Sequence, residues 1–102
     1  MARGRNKYQS RENRARVRKL LLHEWDPIGV ADVPEASHEY DRYADEAYVM
    51  LTERDAGASE IAAYLFDIAT EYMGLSNRAE LERKCDEVAE RLVFLSPEFL
   101  TH

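Results

Sequence analysis

Apolar side chains recur at intervals of three and four residues through most of this 102-residue chain, which is the spacing of helices with one buried face. Few residues interrupt that pattern, because the chain holds only four glycines and three prolines. An all-β sandwich would need a turn about every 8 to 12 residues, and this composition argues against it. A chain of this length makes about one domain. We predict an all-α fold, a compact bundle of about four helices.

Four segments carry the apolar stripe and set the predicted helix boundaries. They cover residues 11–25, 37–55, 60–73 and 77–95. Short connections favour antiparallel neighbours, so the last three helices should alternate in direction, with the first helix packed across them. Residues 1–10 have no apolar period and are predicted to form a disordered basic arm, which leaves 11–102 as a single helical domain.

Local signals mark the ends of these helices. Ser10 and Ser59 are predicted to cap the first and third helices, since a serine hydroxyl accepts from a free amide of the first turn. Gly57 and Gly74 suit the left-handed residue that follows a helix. Pro97 is predicted to end the last helix at about residue 95, because proline has no amide proton to donate.

A turn between the first two helices is the most specific local pattern. Pro27 disfavours the helical conformation of the residue before it, so the first helix should end there. Asp26, Pro27 and Gly29 stand where a type I turn prefers aspartate, proline and glycine. Trp25 and Ile28 flank the turn with large apolar groups. We expect these five residues to be structural and to close one end of the core.

The formal net charge of -6 conceals two oppositely charged parts. Residues 1–19 hold eight of the fourteen lysines and arginines and one acid, so this segment carries +7 and the rest of the chain carries -13. A nucleic-acid role would fall on the cations of this segment, which can neutralise phosphates. Those candidates are Arg3, Arg5, Lys7, Arg11, Arg14 and Arg18. The segment could equally bind an acidic partner, fold onto its own acidic body, or stay an unstructured extension.

An acidic, tyrosine-bearing face on the second helix and the loop before it is the predicted site for a basic protein partner. Tyrosine is enriched at protein interfaces, and charge complementarity speeds association. The residues predicted to contact the partner are Asp32, Glu35, Glu39, Tyr40, Asp41, Tyr43, Asp45 and Glu46. The alternative is that the tyrosines line the core with their hydroxyls at its rim.

Patterns of catalytic and cofactor chemistry are absent from the sequence. His38, Asp41 and Asp45 share one helix face, but a di-iron bundle would need Glu-x-x-His motifs that do not occur, so we predict no metal and no cofactor. The single cysteine, Cys85, stands in an apolar stripe and should be buried rather than catalytic. No apolar run is long enough to span a bilayer, and the first residues do not look like a signal peptide. We therefore expect a cytoplasmic protein that is not an enzyme.

The segment Glu24-Trp25-Asp26-Pro27-Ile28-Gly29-Val30 resembles the signature of a family of small uncharacterised bacterial proteins. Members carry a Trp-Asp-Pro-Ile-Gly motif, and weaker matches extend the resemblance over residues 17–75. Those matches are Glu39-Tyr40-Asp41 with Tyr43, Ile61 with Leu65, and Met73-Gly74-Leu75. The resemblance implies a compact all-helical domain of unknown function and no particular activity.

These observations favour a non-enzymatic, acidic, all-α module that binds a basic protein. One concrete version is an immunity protein or an antitoxin, for which small size, acidity and the lack of catalytic groups are suitable. The alternative is a nucleic-acid-associated regulator that uses the basic N-terminal segment. A homodimer is also compatible with the sequence, since four short helices can leave an apolar stripe uncovered.

Overall fold

A computed structural model describes residues 7–30 and 32–100, and the side chains of all of these except residues 7–9, 36, 37 and 100. Its helices are α1 (Lys7–Leu20), α2 (Pro34–Ser37), α3 (Glu39–Thr52), α4 (Ala58–Asp67) and α5 (Arg78–Leu100). The described ranges contain no strand, so the predicted all-α bundle with four main helices is confirmed. No helix in this part of the chain is long and apolar enough to cross a membrane.

Helices α1 and α3 lie side by side and antiparallel. The direction follows from their contacts, because Arg14 pairs with Asp45 and Arg18 pairs with Asp41 four residues earlier. Val17 on the same helix is fully buried. Helix α1 therefore runs along α3 and also contacts α5, where the sequence predicted that it would pack across the other three helices.

Helices α4 and α5 form the second antiparallel pair, and α5 also packs against α3. Phe66, near the end of α4, lies beside Arg78 at the start of α5. All the long helices contribute to one core, because each one carries an apolar stripe. Its fully buried large side chains include Val17, Tyr40, Ile61, Leu65, Leu92 and Phe99.

Two helices end in a wider, π-helical turn. Helix α1 continues through Leu21–Trp25, and the amide of Asp26 donates to the Leu21 carbonyl five residues back at 2.8 Å. Helix α4 continues in the same way through Ile68–Tyr72. The first helix therefore ends at Trp25, as predicted, and the wide turn carries that side chain into the core, where it is 3% exposed.

The first helix begins earlier than the sequence predicted. It starts at Lys7, so Ser10 lies inside the helix and is not its N-cap. Residues 7–10, which were predicted to belong to the arm, are helical. Residues 1–6 of that arm lie outside the described part of the chain. The second predicted helix, 37–55, corresponds to α3, which is shorter at both ends, and the short helix α2 precedes it.

The predicted end of the last helix at residue 95 is wrong, because α5 continues to Leu100 with Pro97 inside it. Proline cannot donate to the carbonyl four residues back. That carbonyl belongs to Val93, and the Ser96 hydroxyl donates to it instead at 2.9 Å. The extra turn is stabilised by Phe99, which is fully buried and lies against the Tyr48 ring with centroids 5.7 Å apart.

The two glycines that were predicted to follow helices in the left-handed conformation differ in the structure. Gly74 has a left-handed φ of 74°, as predicted. Gly57 has an extended φ of -88° and precedes α4, so it is the N-cap that was predicted at Ser59. The positive φ after α3 belongs to Asp55, a residue type that tolerates this region better than most. Helix α4 then begins at Ala58, two residues before its predicted start.

Candidate protein-binding surface

The turn predicted from the Trp-Asp-Pro-Ile-Gly segment is present and is held by Asp26. The Gly29 amide donates to the Asp26 carbonyl at 3.2 Å, which closes the turn. The Asp26 carboxylate accepts from the Val30 amide and from the Tyr40 hydroxyl, both at 2.9 Å. One side chain thus ties the turn to α3, and Ile28 remains 42% exposed beside it.

Tyr40 and Tyr43 were predicted to face a partner, and the structure corrects this because both are buried at 0% and 4% exposure. Their rings pack on Trp25, with centroids 5.5 and 6.1 Å away. Burial, and for Tyr40 the hydrogen bond to Asp26, raises the pKa of both phenols. These tyrosines form the core with their hydroxyls near its rim, which was the alternative reading of the sequence.

The carboxylates predicted on α3 are largely matched by cations of the same chain. Asp41 pairs with Arg18, and Asp45 pairs with Arg14 at 3.7 Å. Glu46 pairs in the same way with Arg54, at 3.1 Å. A basic partner would have to compete with these arginines for the carboxylates.

The remaining acids of the predicted surface stand near the start of α3. Asp32 and Glu35 are exposed, and the described residues supply no partner for either. Glu39 accepts from the Tyr43 hydroxyl at 3.4 Å. The structure therefore does not bring all the predicted partner-binding residues together as one free acidic face.

The cations that were predicted to contact nucleic acid are also not all free. Arg14 and Arg18 are held against α3, and Arg11 is exposed near the start of α1. The side chain of Lys7 lies outside the described part of the chain, as do Arg3 and Arg5. The sequence left four outcomes open for residues 1–19: contact with nucleic acid, contact with an acidic partner, folding onto the acidic body, or no structure. The part of this segment that the structure describes folds onto the acidic body.

A cleft between α4 and α5 is a candidate surface that the sequence reasoning missed. On the α4 side it is lined by small residues, Ser59 and Ala63 among them, and on the α5 side by Glu82 and Asp86. Both carboxylates are exposed, and no ion pair engages them within the described residues. The cleft thus presents two free negative charges next to small side chains.

Helical spacing alone would have paired one of these carboxylates. Arg78 stands four residues before Glu82, a distance at which opposite charges on a helix attract. In the structure the Arg78 guanidinium lies 5.0 Å from the centre of the Phe66 ring instead. The free carboxylate could therefore not be predicted from the sequence, since it depends on which residue of α4 lies opposite the start of α5.

A second surface lies between the end of α1 and the last turns of α5. Phe94 is 81% exposed, more than any other large apolar side chain among the described residues. Phe94 lines one shallow hollow, and a second hollow lies beyond Leu20 and Leu95, which line both and are partly buried. Glu90 lines the hollow beside Phe94, and the hollow on the other side of the leucines is lined by Arg16, Lys19, His23 and Glu24.

The structure also locates the residues considered for metal binding and catalysis. His38 is exposed, with its Nδ1 atom 3.6 Å from Asp41. No group of three metal-binding side chains occurs among the described residues. Cys85 is buried at 1% exposure, and burial raises the pKa of its thiol.

Comparison with protein-family models, curated proteins and solved structures finds no match to this chain. The resemblance to the Trp-Asp-Pro-Ile-Gly family therefore stays a prediction.

Proposed function

We propose that this chain is a non-enzymatic module that binds a basic protein through the α4–α5 cleft. The observation that carries the proposal is the difference between its two acidic surfaces. Asp41 and Asp45 on α3 are paired with arginines of α1, whereas Glu82 and Asp86 in the cleft are exposed and unpaired in the described structure.

Free carboxylates favour a cationic partner because no internal pair has to be broken before the new one forms. Complementary charge mainly raises the rate of association and disfavours partners of the wrong sign. The small residues Ser59 and Ala63 leave space beside the carboxylates, so a long lysine or arginine side chain can lie along the cleft. An immunity protein or antitoxin for a basic toxin is one protein of this kind.

A capture experiment with charge-reversal variants tests the proposal. The full chain is immobilised and exposed to an extract of the organism that encodes it, and bound proteins are identified by mass spectrometry. We expect the wild type to retain a basic protein. The double variant Glu82→Lys/Asp86→Lys should lose about tenfold or more of that binding, because two attractive contacts become repulsive.

The matched control is Asp32→Lys/Glu35→Lys, which alters the net charge by the same amount at two other exposed acids. It should retain the partner at the wild-type level. If only the control loses binding, the segment before α3 that contains α2 is the site and the cleft is not. A wild type that binds no basic protein contradicts the proposed function.

Nucleic acid is the competing class of partner and needs its own test. Deleting residues 1–19 is unsuitable, because Asn13 and Val17 are buried and their loss would disrupt the fold. Retention of the full chain on duplex DNA at low salt is measured instead, alongside the variant Arg3→Gln/Arg5→Gln. We expect no retention of either protein, since the body of the chain is acidic and Arg14 and Arg18 are paired.

A further inference from the structure

We propose that the surface around Phe94 binds a second copy of this chain across a twofold axis. Phe94 exposes 81% of its area to solvent, although the neighbouring Leu92 is fully buried in the core. Phe94 adjoins Leu20 and Leu95, and an apolar patch with a polar rim is typical of a contact surface. The identity of the occupant follows from the charges on either side of the two leucines.

Opposite unpaired charges flank the apolar centre of this surface, because the other carboxylates and guanidinium groups that line the two hollows are engaged in ion pairs. On the side of Phe94, Glu90 is exposed and has no ion-pair partner in the described part of the chain. On the other side of Leu20 and Leu95, Lys19 is exposed and likewise unpaired among the described residues. A basic partner would be repelled by one side and an acidic partner by the other.

A second copy satisfies both sides at once. A twofold axis at Leu20 and Leu95 places Glu90 of each copy opposite Lys19 of the other, as an isologous interface requires. The same rotation brings Phe94 of one copy onto the other copy's hollow beside Lys19 and His23. The aromatic ring and the hollow that receives it, like the two charges, are thus related by one symmetry operation.

The interface is small, so we expect a reversible dimer rather than an obligate one. Contacts centred on a few apolar residues fall at the low end of interface areas, where association is weak. An aromatic residue at the centre of such a contact carries much of its binding energy, and each dimer contains two copies of Phe94. The ionic part of the contact should weaken as salt is added.

Sedimentation equilibrium of the full chain over a wide range of concentration tests this proposal. We expect a monomer–dimer equilibrium whose dissociation constant rises about tenfold or more in Phe94→Ala. Tyr72→Ala is the control, since Tyr72 is also an exposed aromatic residue, at 63%, but lies outside this surface. It should dimerise like the wild type. Circular dichroism establishes that each variant is folded.

The charge pairing has a sharper test in two reversed variants. Glu90→Lys alone and Lys19→Glu alone should each dimerise weakly, because each homodimer then contains two like-charged contacts. A mixture of the two variants should form a heterodimer at about wild-type affinity, since both contacts are again between opposite charges. A wild type that stays monomeric, an unchanged affinity in Phe94→Ala, or a mixture that fails to associate overturns the proposal.

Discussion

Asp26 is the residue on which the most specific sequence pattern and the tertiary structure converge. Its backbone has a positive φ of 22°, its carbonyl closes the turn, and its carboxylate binds both Val30 and Tyr40. The turn pattern predicted the closed turn, but it did not predict the positive φ. The bond to Tyr40 joins residues fourteen apart in the sequence and could not be predicted from the turn.

We predict that Asp26→Ala lowers the free energy of unfolding by about 2 to 3 kcal/mol. The substitution leaves the Val30 amide and the Tyr40 hydroxyl without their acceptor, and an unsatisfied buried donor costs about 1 to 3 kcal/mol. Urea denaturation monitored by circular dichroism measures the change. Asp32→Ala is the control and should cost less than about 0.5 kcal/mol, because Asp32 is exposed. Equal stability of the two variants would contradict this role for Asp26.

Buried tyrosines make the stability of the chain sensitive to alkaline pH. Burial, followed by the nearby Glu46, raises the pKa of Tyr64 to about 12, and burial with the Asp26 hydrogen bond raises that of Tyr40 further. The folded state therefore holds these protons more tightly than the unfolded state, whose tyrosines titrate near pH 10. Stability should be intact below about pH 10 and fall as the pH rises toward 12.

Denaturation at a series of alkaline pH values tests this expectation. Tyr64→Phe should reduce the slope of stability against pH above about pH 10, since one group with a raised pKa has been removed. A wild type whose stability is flat between pH 10 and 12 would contradict the burial of Tyr40 and the partial burial of Tyr64.

At the scale of the helices, apolar spacing predicted the number and order of the main helices. It predicted the residues at which they begin and end less accurately. Proline at position 97 was a strong stop signal, and the structure overrides it through Ser96 and Phe99. Propensity is local, whereas the burial of Phe99 against Tyr48 on α3 is a tertiary contact that no helical period reveals. Asp55 takes the left-handed position that was predicted for Gly57, because either residue type can follow a helix, and Gly57 is the N-cap that was predicted at Ser59.

Phe99→Ala measures whether the last turn of α5 belongs to the core. We predict a loss of about 3 to 5 kcal/mol in the free energy of unfolding, as for other buried phenylalanines. Phe94→Ala is the matched control, and it should cost less than about 1 kcal/mol in the monomer because Phe94 is exposed. If both substitutions cost equally little, the helix ends near residue 95 as the sequence alone predicted.

At the scale of the whole molecule, the division of charge along the sequence becomes an internal contact. The sequence shows the basic segment and the acidic remainder, but it cannot show that Arg14 and Arg18 lie against Asp45 and Asp41. This contact decides the candidate site, because it occupies the predicted acidic face and leaves the α4–α5 cleft free. Exposed ion pairs contribute about 0 to 1 kcal/mol each, so the buried apolar face of α1 must hold this helix in place.

The incorporation of α1 into the core is what places its arginines against the acids of α3 and leaves the α4–α5 cleft free. Native-state hydrogen exchange followed by NMR measures it directly, since amides in a core helix exchange only when the structure opens. We predict that residues 13–22 are protected to within about 1 to 2 kcal/mol of the α3 amides around Tyr48, because Asn13, Val17 and Leu21 are fully buried. Exchange of residues 13–22 at the rate of an unfolded peptide, while α3 stays protected, would contradict the account.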